Sequence, residues 1–498
     1  MEVLLENAVE IKRSKRLKGQ PVLQGDGLTG FQALLMGALA EGPTRLENLP
    51  DSPWFRDILQ DFIRMGYAQQ ALDGHWTIHG GSAPVSGPEP LRVRHEAELL
   101  TLAGFLAAKD CRRKLAIDPA CVSGEAMELL GRILKLEAVP ELASAAEAGM
   151  APAAAEPPAP PDSAPAPNQD VILLEAPTGL TPRTAAQLRP AGSASAACKP
   201  SELGWDEYQA KLALLSFHLA SGLALDLSLS KSGPDWLETL AAQFGGPIRV
   251  EKNEAPEGDE LARRIARQMR AAGKTEAQTR IRLAAGARLR TQTYAIPADI
   301  TLASAYCLAA TLIKGSDLTL ENVPLNPSRA GFISALRRMG ADIEVVSRRE
   351  KNGEGLGLLR VRSADLFGKR FAADNHSGMR DEIFLLMVAA AYAEGETVLR
   401  DVTYLRRHDR DLLKGFTAAL KAAGVEIGEI EDGVVIRGRP DYDGSAYDCM
   451  GHPGLALACL VMGLKSHGAS ALRGASCLDG RYPGLFDQMA ALGAGDKP

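Results

Sequence analysis

The side chains best placed by type and order to move a proton stand between positions 376 and 409. Asp381 lies ahead of a long apolar segment, IFLLMVAAAYAEG. A carboxylate there can act as an acid or base in a cleft, or it can cap the first amides of a helix, where its charge suits the positive end of the macrodipole. His376, His408 and Asp409 could join it in an acid/base or metal-binding cluster, because imidazole titrates near neutrality and both group types ligate divalent ions. Their spacing matches no metal motif, so solvated surface charge is the competing reading. Arg329, in Asn326-Pro327-Ser328-Arg329, reads as a side chain that ties a loop to the helix behind it.

The elements that must position these groups recur along the chain. Glu41-Gly42, Gly315-Ser316, Glu394-Gly395 and His467-Gly468 each follow an alanine-rich apolar helix and precede a short β-like run. About six copies of this unit can be aligned, among them ALLMGALAEGPTRLENL, LSFHLASGLALDLSL, LAATLIKGSDLTLENV and MVAAAYAEGETVLRDV, at intervals of roughly 65 to 110 residues. Each is followed by a second helix with one apolar stripe and a charged face, such as FRDILQDFIRMG or FISALRRMGADI. The first helix of a unit is apolar almost all round and belongs inside a layer; the second belongs on a surface. Three units can bury their inner helices against one another beneath sheets, so six predict two such bodies in an α/β protein.

Composition agrees. A chain of 498 residues exceeds the size at which single cores stop growing. The net charge of −6 gives no support for nucleic acid or an anionic membrane as partner. Seven cysteines without paired metal spacing suit a reducing compartment. The segment MEVLLENAVEIKRSKRL mixes charge into its apolar residues, unlike a signal peptide, and the longest apolar run, LALACLVMGL, is too short to span a bilayer. The expected location is the cytoplasm. From about Pro140 to Asn168 proline and alanine dominate, which predicts a disordered insertion. A second, charged insertion, GDELARRIARQMRAAGKTEAQTRIRL, is expected to be partly helical.

Four stretches carry a family resemblance: LNPSRAGFISALRRMGADI (325–343), MRDEIFLLMVAAAYAEGETVLRDVTYLR (379–406), GALAEGPTRLENLPDS (37–52) and YPGLFDQMAALG (482–493). They resemble 3-phosphoshikimate 1-carboxyvinyltransferase, or EPSP synthase, over nearly the full chain. The resemblance implies two domains of three βαβαββ units with the active site in the cleft between them. It implies transfer of the enolpyruvyl group of phosphoenolpyruvate to shikimate 3-phosphate, on the route to chorismate, without metal or organic cofactor. The crossover falls near Pro297-Ala298-Asp299. The N-terminal domain is then 26–295, and residues 1–25 join 296–498 in the C-terminal domain.

Both substrates of that family are phosphorylated carboxylates, so the site needs several cations. In this chain most positions that match the family's cationic motifs are altered. Gly-Asp-Lys-Ser-x-x-x-Arg reads Gly25-Asp26-Gly27-Leu28-Thr29-Gly30-Phe31-Gln32. The Gly-Asn-x-Gly-Thr-x-x-Arg loop becomes Val93 through Leu100, with Glu96 in place of a glycine. Ser-Ser-Gln becomes Glu207-Tyr208-Gln209, followed by Lys211. Lys-Glu-x-Asp-Arg becomes His408-Asp409-Arg410-Asp411-Leu412, Asp-His-Arg becomes Gly451-His452-Pro453-Gly454, and the late lysine becomes Gly480, beside Arg481. By the resemblance, Asp381, His408 and Asp409 are the candidate catalytic groups, and Gln209, Lys211, Arg380, Arg410 and Arg481 the candidate substrate contacts. Loss of about five charge-assisted contacts removes on the order of 7 to 15 kcal/mol. The favoured reading is therefore a non-catalytic paralogue with a binding or regulatory role and a small anionic ligand as the conceivable occupant of the cleft. An enzyme for a less anionic substrate and a divergent active EPSP synthase are the alternatives.

Overall fold

In the computed structural model the described residues are 8–70, 75–81, 84–85, 90–93, 96–109, 114–117, 122, 124–134, 137–138, 172–175, 198–200, 206–230, 235–252, 279–286, 288–372, 378–379, 381–406 and 411–493. The proline-rich stretch 140–168 lies outside them.

Six helices are buried nearly all round: Gly27–Leu39, Glu96–Ala108, Glu207–Ser221, Ile300–Leu312, Glu382–Tyr392 and Pro453–Lys465. Every residue of Ile300–Leu312 and of Glu382–Tyr392 is buried, which is possible because alanine, leucine and small polar residues leave no charge facing a neighbour except at the first turn. Each is partnered by an amphipathic helix. In Pro53–Arg64, for example, Trp54, Phe55, Ile58, Leu59 and Phe62 face inward. Short sheets complete each unit, and six of three or four strands are formed among the described residues. Between helix and strand Gly42, Gly315, Gly395 and Gly468 all take positive φ, from 76° to 113°, a region where a side chain would be strained.

Of the second insertion only the end is described. The rest, on which the partly helical expectation falls, lies outside the described residues; the end, Thr279–Leu283, is the central strand of a three-stranded sheet between Leu225–Leu229 and Ile248–Lys252. Thr279, Ile281 and Leu283 are buried and the arginines between them are not, the period of two of a strand with one face packed.

Buried hydrophobic side chains form two clusters. One runs from Leu28 to Ile296; the other combines Ile11 and Leu17 with residues from Ile300 to Leu492. The start of the chain belongs with the second: Ala8–Lys12 pairs antiparallel with Ala469–Arg473, and Lys18–Gly19 pairs parallel with Asp317–Pro324. The chain passes between the clusters twice, and the two passages run side by side. Asp26 N donates to Pro297 O at 2.8 Å and Asp299 N to Gln24 O at 2.9 Å. No helix among the described residues is long and apolar enough to cross a membrane.

Candidate functional site

Because the two passages are bonded together, the helices that start just beyond them begin side by side at the junction of the clusters. Asp26 caps Gly27–Leu39, accepting from Thr29 N at 2.7 Å, and Asp299 caps Ile300–Leu312, accepting from Leu302 N at 2.9 Å. Asp381 occupies the cap position of Glu382–Tyr392, but among the described residues its carboxylate makes no capping hydrogen bond to that helix. The capping role expected from its position is therefore not the one its side chain takes.

Arg481, at the end of the short helix Ser476–Arg481, enters this junction. Its guanidinium carbon is 5.1 Å from the ring centre of Trp54, and its Nη2 is 3.8 Å from Asp299. Its Nε donates to the Tyr482 hydroxyl at 3.2 Å, which in turn donates to Asp299 at 3.3 Å. Burial opposes the Arg481 charge, but Tyr482, Asp299, Asp381 and Asp26 outweigh it and raise its pKa above the ordinary guanidinium value. Burial likewise pushes the Asp299 carboxyl up to about 6 against the pull of Arg481. Asp299, Asp381 and Asp26 thus partly answer the Arg481 charge from within the chain.

Trp54 explains why Gly27 is glycine. A Cβ on Gly27 would lie 2.2 Å from the Trp54 ring, so the indole fills the space a side chain at 27 would enter. Gln32, one turn further along the same helix, is fully buried, and neither polar atom of its side chain has a hydrogen-bond partner among the described residues.

The other expected contacts are engaged within the protein. Gln209 donates its side-chain amide to Glu96 at 2.8 Å, which joins two replaced motifs at the starts of neighbouring inner helices. Lys211 is about as buried as any side chain here and pairs with Glu238 at 2.8 Å, an interior ion pair where a substrate contact was expected. His452 caps Pro453–Lys465 through Nδ1, accepting from Leu455 N at 3.3 Å, and packs edge-on to Phe384. Arg380, His376, His408, Asp409 and Arg410 lie outside the described residues. Arg329 does more than tie its loop: it reaches the opposite cluster, donating to the Thr29 hydroxyl at 3.0 Å, with its guanidinium carbon 5.3 Å from the Trp236 ring centre. Sequence reasoning missed Trp54, Asp299 and Tyr482 as junction residues. The only signals for them were the rarity of tryptophan, at four in the chain, and the place of Asp299 on the crossover.

Two bodies of helix-lined α/β units, with inner helices starting together at a shared junction, are the architecture of the enolpyruvyl transferases. The family described as EPSP synthase (3-phosphoshikimate 1-carboxyvinyltransferase) matches residues 240–489. A 3-phosphoshikimate 1-carboxyvinyltransferase of Chelativorans sp. (strain BNC1) is 30% identical over 498 residues, covering 97% of this chain and 96% of the relative. One of Synechococcus sp. (strain JA-3-3Ab) is 41% identical over 207 residues, 42% of this chain and 47% of its own length. The chain belongs to the EPSP synthase family. Solved structures share the fold: EPSP synthase from Acinetobacter baumannii superposes with a TM-score of 0.67 at 23% identity over 97% of each chain. An enolpyruvyl transferase from Streptomyces tendae gives 0.63 at 18% over 98% of each.

Proposed function

We propose that this chain keeps the EPSP synthase scaffold without enolpyruvyl transfer to shikimate 3-phosphate, and that its junction serves a binding or regulatory role. The observation that carries the reading is Trp54 packed on Gly27: the place of the family's first lysine is occupied by an indole. The acidic surroundings of Arg481 support it, since this guanidinium is already engaged by Asp299 and Tyr482 within the chain.

A second reading, a divergent but active EPSP synthase, is favoured by one arrangement: Asp381 still acts electrostatically on Arg481 and Tyr482 at the junction. Its full-length relatives carry that enzyme's name. Titration of the whole chain with shikimate 3-phosphate in a calorimeter, together with complementation of a strain lacking EPSP synthase, separates the two. The first reading expects no binding heat, no phosphate release from phosphoenolpyruvate and no growth. Growth on the unmodified chain overturns it in favour of the second.

A further inference from the structure

We propose that the β-hairpin Asp342–Lys351/Glu354–Arg362 is a brace that fixes the crossover between the two clusters without any ligand. The hairpin belongs to the sheet of the second cluster, yet its tip docks on the first. The tip is the two-residue turn Asn352-Gly353, whose φ values of 55° and 73° match the tight turn that suits the twist of paired strands. That geometry aims the Asn352 side chain at Thr293–Ala295, the edge strand of a first-cluster sheet. Asn352 Nδ2 donates to Thr293 O at 2.9 Å, and Ala295 N donates to Asn352 Oδ1 at 3.3 Å. One amide thus bonds the edge strand in both directions, as a neighbouring strand would.

Further contacts flank the tip. Lys351 pairs with Glu47 across the clusters at 3.3 Å. Glu354, nearly fully buried, stands 3.8 Å from Arg329, which itself bonds Thr29. Ser328 and Asn326 both donate to Asp235, the cap residue of Trp236–Gln243 in the first cluster. The edge strand ends at Ala295, and the passage to the second cluster follows at once: Ile296 packs with the first cluster and Ile300 with the second. Hinge motions concentrate φ/ψ change in a few residues at element ends. Here those residues are held from the far side by the Asn352 amide, so a rotation of one body against the other must first break its bonds.

Hydrogen exchange of the full chain, read peptide by peptide, tests this. Asn352→Ala removes both bonds, and two hydrogen bonds correspond to on the order of tenfold in a local opening equilibrium. The expected result is exchange about tenfold faster at 293–299 with exchange unchanged in Glu382–Tyr392. Asn352→Asp, which keeps the acceptor for Ala295 N and loses the donor to Thr293 O, should fall between the two and guards against a variant that fails to fold. Unchanged exchange at 293–299 in both variants, or acceleration spread equally through both clusters, overturns the brace. Failure of shikimate 3-phosphate to bind, or its success, leaves this result untouched.

Discussion

At the residue scale the informative event is a coupled pair. Gly27 and Trp54 cannot both carry side chains in the present geometry, since the ring comes within 2.2 Å of where a Cβ would sit. Gly27→Ala is therefore expected to destabilise the chain by about 1 to 3 kcal/mol through overpacking, measured by urea unfolding. Trp54→Ala should cost about 3 to 5 kcal/mol by leaving a cavity. The double variant should lose less than the sum, because the new methyl then enters the space the indole left. Strict additivity would mean that the two positions do not share that space. The same coupling explains why Gly27→Lys alone should not restore a phosphate contact: the lysine must displace an indole held under Arg481.

Asp299 makes a second residue-scale case, with pH as the probe. Its carboxyl is pushed up to about 6 by burial, while an unfolded aspartate titrates near 3.9. Between those values the folded chain binds more protons than the unfolded one, so this group's contribution to stability falls as pH rises from about 4 to 6 and stays low above. Asp299→Asn keeps an acceptor for the Leu302 amide and removes the titration. The variant's stability relative to the parent should therefore improve as pH rises from 4 to 7. A difference that does not change with pH would show that Asp299 titrates normally.

At the scale of elements, much could be read in advance. Inner and outer helices separate by how completely apolar residues surround them, and the glycines at 42, 315, 395 and 468 were legible because glycine takes most readily the positive φ that turns the chain into its strand. What could not be read was how helix starts meet. Gln209 and Glu96 are far apart in sequence and bond only because two inner helices begin side by side; Lys211 looked available until the neighbouring helix Trp236–Gln243 supplied Glu238. Local pattern reports burial, whereas partners across elements depend on tertiary register. The strand Thr279–Leu283 shows the same limit, since its alternation was masked by the charged helical pattern ahead of it. For the inner helices themselves, Leu386→Ala in Glu382–Tyr392, where every residue is buried, should cost about 2 to 5 kcal/mol. Urea unfolding monitored by circular dichroism would show this, and a cost below 1 kcal/mol would contradict the packing described.

At the scale of the whole molecule the question is what holds the two bodies together. In an enzyme that closes on anionic substrates, cations from both halves converge on the ligand, and differential affinity for the closed state drives the motion. Here the cations at the junction among the described residues already have partners: Arg481 has Asp299, Tyr482 and Trp54, and Arg329 has the Thr29 hydroxyl, with Glu354 3.8 Å away. A ligand would have to break these contacts before gaining its own, and removing one partner of a buried pair is costly. Small-angle scattering of the ligand-free chain should therefore give a radius of gyration that does not shrink when shikimate 3-phosphate and phosphoenolpyruvate are added at millimolar concentration. A ligand present at a hundred times its Kd stabilises by about 2.7 kcal/mol, which in a body of this size is a melting shift of several degrees. Thermal unfolding under the same conditions should show no such shift. Compaction together with a shift of that size would mean that the junction opens readily for a polyanion and that the chain still closes on the family's substrates.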